Sequence, residues 1–282
     1  MSISNSTTMN DLVGTIVSEE AQSAAIAARV MRGLVRATEM PLGAGSITIP
    51  RFQDIAVGSL TEGTAPGSVA WSTDGTVLTP VERGVYAQIS KRVLFADPFS
   101  DLAPYGEQLG RQLAEDEDTQ ILGLVSGAMG TTLTPGAGMD KATFLSGVAA
   151  LETANAPGPY YGVFHPSAWA DLRDSIGDAA VFGSVGRGIV EGIGESTNIQ
   201  ANGYAGSPYG IPCYVSSSVE TGAAAGSYAN IMASKQCLGY AFIQDLTVDV
   251  DENVTARAFD LMAWYAGHQD VLVSAYGVEC VA

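Results

Sequence analysis

The stretch LTEGTAPGSVAWSTDGTVLTP, residues 60–80, constrains the fold more than any other. From Ile55 to Asp97 the chain has a β-like pattern, yet this middle portion is too polar and too rich in Gly, Pro, Ser and Thr to build a core. It reads as a long projecting hairpin. Two strands alone are marginal in water, so such an arm needs another surface to lie on. The returning strand, RGVYAQISKRVLFAD, alternates enough to enter a sheet and carries Arg83, Lys91 and Arg92. The hairpin is thus a first sign of assembly.

The rest of the chain can supply a core: 282 residues with 46% hydrophobic content suit about two globular units. Thirteen Lys plus Arg against thirty Asp plus Glu leave a net charge of −17, which argues against the basic footprint of a protein that grips phosphate backbones. Cys213, Cys237 and Cys280 are odd in number and far apart, so neither a disulfide framework nor a metal-binding pair is indicated and a reducing compartment is expected. The N-terminal residues lack a basic segment followed by an apolar run, and no stretch reaches the ~18 apolar residues of a membrane span. Neither export nor membrane insertion is expected.

After a polar start expected to be mobile, EEAQSAAIAARVMRGLVRA (19–37) sets Ile26, Val30 and Leu34 on one side of a helix and Arg29, Arg32 and Arg36 on another. The arginines form either a solvated face or a basic stripe that meets acidic neighbours. MPLGAGSITIPRF breaks this helix and starts an extended segment. Asp97-Pro98, with Ser100 as a competing cap, starts a second helix that runs to about Ser126. Leu102, Tyr105, Leu109, Leu113, Gln120 and Leu124 line one stripe of a rod of roughly 40 Å at ~1.5 Å per residue. Its EDED run, Glu115, Asp116, Glu117 and Asp118, is either a solvated face or the partner of a basic patch on a neighbouring chain.

GTTLTPGAG (130–138) is a loop or small hairpin, and DKATFLSGVAALETA (140–154) is a helix starting at Asp140. YYGVF is a buried-type strand, and HPSAWADLRDS turns at Pro166 into a helix with Trp169 and Leu172 inward. The Gly-rich GSVGRGIVEGIGE leads to SPYGIPCYVSSSV, where two prolines frame a strand, so 140–232 reads as a compact α/β unit. The tail is mostly β; in TVDVD, Val248 and Val250 point one way and Asp249 and Asp251 the other, and the tail should return to pack on the long helix.

No constellation of catalytic or ligand residues emerges. His165 and His268 have no His or Cys at metal-ligand spacing, and no G-x-S-x-G elbow accompanies the serine of HPSAW. His165 reads as a satisfied histidine at a strand end. DVDENVTARAFD starts like a calcium loop, but Val254 stands where the turn needs glycine and Asp260 replaces the final glutamate, so it reads as a strand pair. GRGIVEG does not fit a dinucleotide fingerprint, and no GK[ST] occurs. No enzyme activity, cofactor or metal is assigned, and the chain looks like a building block.

In order, ITIPRF, the hairpin, the long helix with LAEDEDTQIL, YYGVFHPSAWADLRD, SPYGIPCYVSSSV and DLTVDVDENVTARAFDLMAWYAGHQDVLV resemble the major capsid protein of tailed double-stranded-DNA phages, the HK97-type fold. The resemblance implies an α+β chain with an N-terminal arm (1–42) and an extended loop (53–82). It also implies a peripheral domain with spine helix and sheet (43–52, 83–139 and 233–282) and an axial α/β domain (140–232). It further implies pentamers and hexamers of this chain in an icosahedral shell, assembled in the host cytoplasm, around DNA that is not bound sequence-specifically. An acidic wall would let that DNA pack and leave. Portal, scaffolding and decoration proteins are the further partners implied. Some relatives cross-link through a lysine on the extended loop, but none lies between Val57 and Pro80, so noncovalent contacts are expected. Some carry a long scaffolding region before the arm; with none here, a separate scaffold is expected. The contact candidates are Arg29, Arg32, Arg36, Glu62, Trp71, Arg83, Lys91, Arg92, Glu115, Asp116, Glu117 and Asp118, with the bases near the hairpin root meeting the EDED acids of neighbouring subunits. Alternatives are an encapsulin-like nanocompartment, which holds enzymes instead of DNA, and an α/β hydrolase using His165.

Overall fold

The computed structural model describes residues 6–52, 57, 59, 62, 73–92, 103–135, 138–180, 204–222 and 227–282. Trp71, the Asp97-Pro98 helix start with Ser100 and Leu102, most of the hairpin's 53–72 connection and GSVGRGIVEGIGE lie outside these residues.

The N-terminal helix α1 (Ser6–Ala28) is followed by a 3-10 turn at Met31–Gly33 and strand β1 (Arg36–Glu39). This corrects two expectations, since helical backbone starts at Ser6 and stops before the three arginines. The inward positions also differ: Val17, Ala21 and Ala25 are buried at a four-residue spacing, whereas Ile26 is 69% exposed. The reason lies on helix α2 (Ala103–Leu122), the described part of the long rod. A Cβ at Gly110 would sit 2.1 Å from the Ala21 carbonyl oxygen, and one at Gly106 would sit 2.6 Å from that of Val17. The helices meet backbone to backbone across glycine and alanine, so the contact carries a weak hydrophobic signal in sequence.

Strands β2 (Ile47–Phe52) and β3 (Thr73–Leu78) pair antiparallel from Ile47↔Leu78 to Phe52↔Thr73 and form the root of the expected hairpin. The chain continues into β4 (Val81–Ser90). Near the C-terminus, β10 (Leu238–Asn253) and β11 (Ala258–Val271) form a long antiparallel pair, and the sheet order is β1-β10-β11-β4. Along β10 and β11 the period-two pattern works as expected: Val248, Leu261, Ala263 and Tyr265 turn to α1 and α2 and share a core with Val17, Ala21, Leu109 and Leu113. Asp249 and Asp251 face away and are exposed. The supposed calcium loop is the turn of this pair, with Asp251 opposite Asp260 and the Asn253 side chain donating to Asp260 at 3.1 Å.

The second sheet comprises β5 (Thr131–Leu133), β6 (Tyr160–Phe164), β7 (Tyr204–Gly206), β8 (Cys213–Val215), β9 (Ala229–Ser234) and β12 (Gly277–Val281), ordered β5-β12-β9-β6-β8-β7. Helices α3 (Lys141–Thr153) and α4 (Pro166–Ala180) accompany it, with Phe144, Leu151, Trp169 and Leu172 buried in a core shared with Phe164 and Met232. Asp140 caps α3 by accepting the Thr143 N–H at 2.7 Å, and the Thr143 side chain together with that N–H holds its carboxyl below the usual range.

Strand pairing runs across two of the expected boundaries. The C-terminal strand β12 lies antiparallel to β9 and parallel to β5, so 131–133 and 277–281 are continuous with the sheet of the 140–232 unit. Likewise β1, assigned to the arm, pairs parallel with β10 and completes the first sheet. In both cases the open edge of a sheet is covered by a segment distant in sequence.

Candidate subunit-contact surfaces

The charged residues expected to reach neighbouring subunits divide into two groups. One is used within the chain. Where α1 ends, the Asp118 carboxylate on α2 accepts the Val30 N–H at 2.8 Å and the Met31 N–H at 3.0 Å. These donors open the 3-10 turn, which has no side-chain cap of its own, so Asp118 serves as a cap from another element. Next to it, Glu117 is 2.8 Å from the Arg29 Nε and 4.0 Å from the Arg32 Nε. Both guanidinium groups also reach Asp245 on β10, at 3.0 and 2.8 Å. Arg32 further lies over the Phe242 ring, 4.2 Å from its centroid.

Five charged side chains thus clasp the end of α1 to the rod and to the first sheet. Of the contact candidates, Glu117 and Asp118 are buried within the chain, and Arg29 and Arg32 turn inward to them. The rod needs counterions at this point because its EDED run winds around the helix, and half of it faces the core.

Burial pushes the Asp118 carboxyl up to about 6, against the two N–H bonds that favour its charge. Burial likewise raises Glu117, opposed by Arg29 and Arg32. For Asp245 burial acts upward too, but Arg32 and Arg29 prevail and hold it at about 2. Because Asp118 binds its proton more tightly folded than the ~3.9 of an unfolded chain, its contribution to stability grows as pH falls from 7 through 6 and levels off below about 4. Protonation removes one acceptor from the capped turn, which limits the gain to about 1–3 kcal/mol. Denaturant unfolding at pH 5 and 7.5 should show this gain, and Asp118→Asn should shrink it; an equal gain in the variant would remove Asp118 as its source.

Arg83 and Lys91 are also engaged at home. Arg83 reaches Asp116 at 3.4 Å and donates to Gln120 at 2.9 Å, while the Tyr265 hydroxyl donates to the other Asp116 oxygen at 2.7 Å. Lys91 pairs with Glu252 beside the Phe259 ring. The pairing of these bases with EDED acids was expected between subunits; Arg83 and Asp116 make it within one. The second group, Arg36, Glu62, Arg92 and Glu115, is exposed. Sequence reasoning missed Asp245, for which no local signal exists. It also missed the exposed apolar side chains Val77, Val81, Val85 and Tyr86, which follow the hairpin root along β3 and β4.

His165 sits between β6 and α4. Its backbone N–H donates to the Asn230 side chain at 2.7 Å, its ring stacks on Tyr228, and its Nδ1 lies 2.7 Å from the Ser167 hydroxyl and 3.3 Å from the Ser167 N–H. The last two contacts span two residues and serve the helix start. Among the described residues no carboxylate orients the imidazole, as a Ser–His pair would need. Also among them, no cluster of three or more His, Cys, Asp or Glu is placed to hold a metal, and no helix is long and apolar enough to cross a membrane.

A family model described as phage capsid protein matches residues 72–275, well over half of the chain. No curated protein matches it. Among solved structures, the capsid of cyanophage P-SCSP1u superposes with a TM-score of 0.67 at 15% identity, covering 88% of this chain and 86% of that one. Mycobacterium phage Che8 gives 0.61 at 17% identity, with 84% of each chain covered. A virus-like particle from Pyrococcus furiosus gives 0.60 at 12% identity, covering 94% and 98%. The shared fold is the HK97-type capsid fold.

Proposed function

The chain belongs to the phage capsid protein family, and from this premise we propose that it assembles as pentamers and hexamers into an icosahedral shell enclosing a double-stranded DNA genome. As a capsid shell protein it is a structural component of the virion. The observation that carries the finer reading is the hairpin root. The chain leaves the β2–β3 pair at Phe52 and returns at Thr73, through a segment too polar for a core, and exposed Val77, Val81, Val85 and Tyr86 follow it. Apolar surface of this kind beside the hairpin root suits burial against further copies. The family's division of labour follows: N-terminal arm, extended loop, peripheral domain around the rod, and axial domain around the second sheet. Assembly takes place in the host cytoplasm, with portal, scaffolding and decoration proteins as further partners.

The net charge of −17 suits a container that holds DNA without gripping it. With no lysine between Val57 and Pro80, the shell is held by noncovalent contacts. Particles purified from infected cells should release double-stranded DNA and run as a single monomer band after denaturation. A packaged enzyme in place of DNA would overturn the genome reading in favour of a nanocompartment, and a ladder of covalent multimers would overturn the noncovalent one.

A further inference from the structure

Among the described cations, Arg29, Arg32, Arg83, Lys91 and Arg111 form ion pairs inside the chain. Among the described residues Arg36 on β1 and Arg51 on β2 have no ion-pair partner, and both are exposed and line one cleft of about 320 Å³. The Asp74 opposite Arg51 across the hairpin root turns its carboxylate to the Gly75 N–H at 2.8 Å instead. The cleft lies where the arm's last strand, the hairpin root and the turn after β11 converge, and Ile49, Leu272 and Tyr276 line it together with Thr76 and Gln236.

We propose that this cleft is a contact between copies in the shell, in which Arg36 and Arg51 take a carboxylate-bearing segment of a second copy. Charge complementarity favours that occupant. Thirty acids against thirteen bases mean that the surface offered by another copy is predominantly carboxylate. Guanidinium groups match a carboxylate with paired N–H donors. Phosphate of the enclosed DNA is the rival occupant; the cleft's position beside the hairpin root, with Ile49, Leu272 and Tyr276 among its lining, favours protein. The inference rests on the shell reading above.

The test compares wild-type protein with Arg36→Glu/Arg51→Glu under conditions where the wild type forms particles without nucleic acid. The assembled fraction should fall about tenfold or more while the circular dichroism spectrum of the unassembled protein is unchanged. Unchanged assembly and salt dependence would overturn the proposal and leave the shell reading intact. Assembly that is normal without DNA, but with reduced DNA retention, would assign the cleft to phosphate and overturn it equally. Particles missing for the wild type would count against the shell reading itself. Should charge reversal impair folding, Arg36→Lys/Arg51→Lys particles mixed from light and heavy isotopes can be treated with a carbodiimide. Cross-links from these lysines to Asp or Glu of the other isotope are expected, and cross-links confined to one isotope would contradict the contact.

Discussion

Gly110→Val should strip α1 from the rod. A Cβ at this position falls 2.1 Å from the Ala21 carbonyl oxygen, 2.8 Å from its carbon and 2.9 Å from the Ala21 Cα, all of them backbone atoms that no rotamer change can move. The helices must separate, which exposes Val17, Ala21 and Ala25, all at most 1% exposed in the native chain. Overpacking and lost burial together should cost about 3–5 kcal/mol. The measurement is amide exchange across 15–28 together with the denaturation midpoint. Protection in α1 should collapse first, because the same separation loosens its packing on Leu246 and Val248 of β10 and leaves the polar clasp at Asp118 to hold its end. Gly45→Ala is the control: nothing lies within 4 Å of its Cβ position, so the midpoint should hardly move, within about 0.5 kcal/mol. Native exchange protection of α1 in Gly110→Val would contradict the close helix contact.

Glu117→Leu should be nearly as damaging, for an electrostatic reason. The Arg29 side chain is 9% exposed and relies on Glu117 at 2.8 Å; without it, only the half-exposed Asp245 remains. Leaving a buried charge short of its partner costs about 3 kcal/mol or more. The pair itself is worth far less than that loss, because both ions were desolvated to form it. Arg29→Leu/Glu117→Leu should therefore recover most of the stability, and a double-mutant cycle in denaturant reads the difference. If the double variant is as unstable as the sum of the single ones, the two residues do not act as a pair.

The parts of the fold that were legible in sequence rest on signals within a few residues. The start of α3 at Asp140, Pro166 opening α4 with Trp169 and Leu172 inward, and the alternation of β10 are local matters of helix-start signals and periodicity. The antiparallel root of the hairpin was also visible, since two β-like runs flanked a polar middle. What escaped depends on partners far away in the chain. The arginines after α1 looked like a helical stripe because their counterions, Glu117 and Asp245, lie 88 and 216 positions beyond Arg29. The register of α1 was misread because its inward face is made of alanines that fit glycines on α2, where shape rather than hydrophobicity selects the residue. The placement of β12 beside β9 and β5 could not be seen either, since a short apolar strand fits either sheet by pattern alone. Among the contact candidates, nothing local in the sequence separates the charges with partners inside the chain from those without. Four sit in the clasp, three pair elsewhere within the chain, and Arg36, Glu62, Arg92 and Glu115 are exposed.

Electron microscopy of the purified protein under assembly conditions, with icosahedral averaging of whatever particles form, addresses the shell most directly. Closed shells of uniform size built from fivefold and sixfold clusters, with the 53–72 connection of each copy lying on a neighbour, are the expected result. A population that stays monomeric, or that forms only open sheets without fivefold vertices, at every protein concentration and with a scaffolding protein supplied, would contradict it.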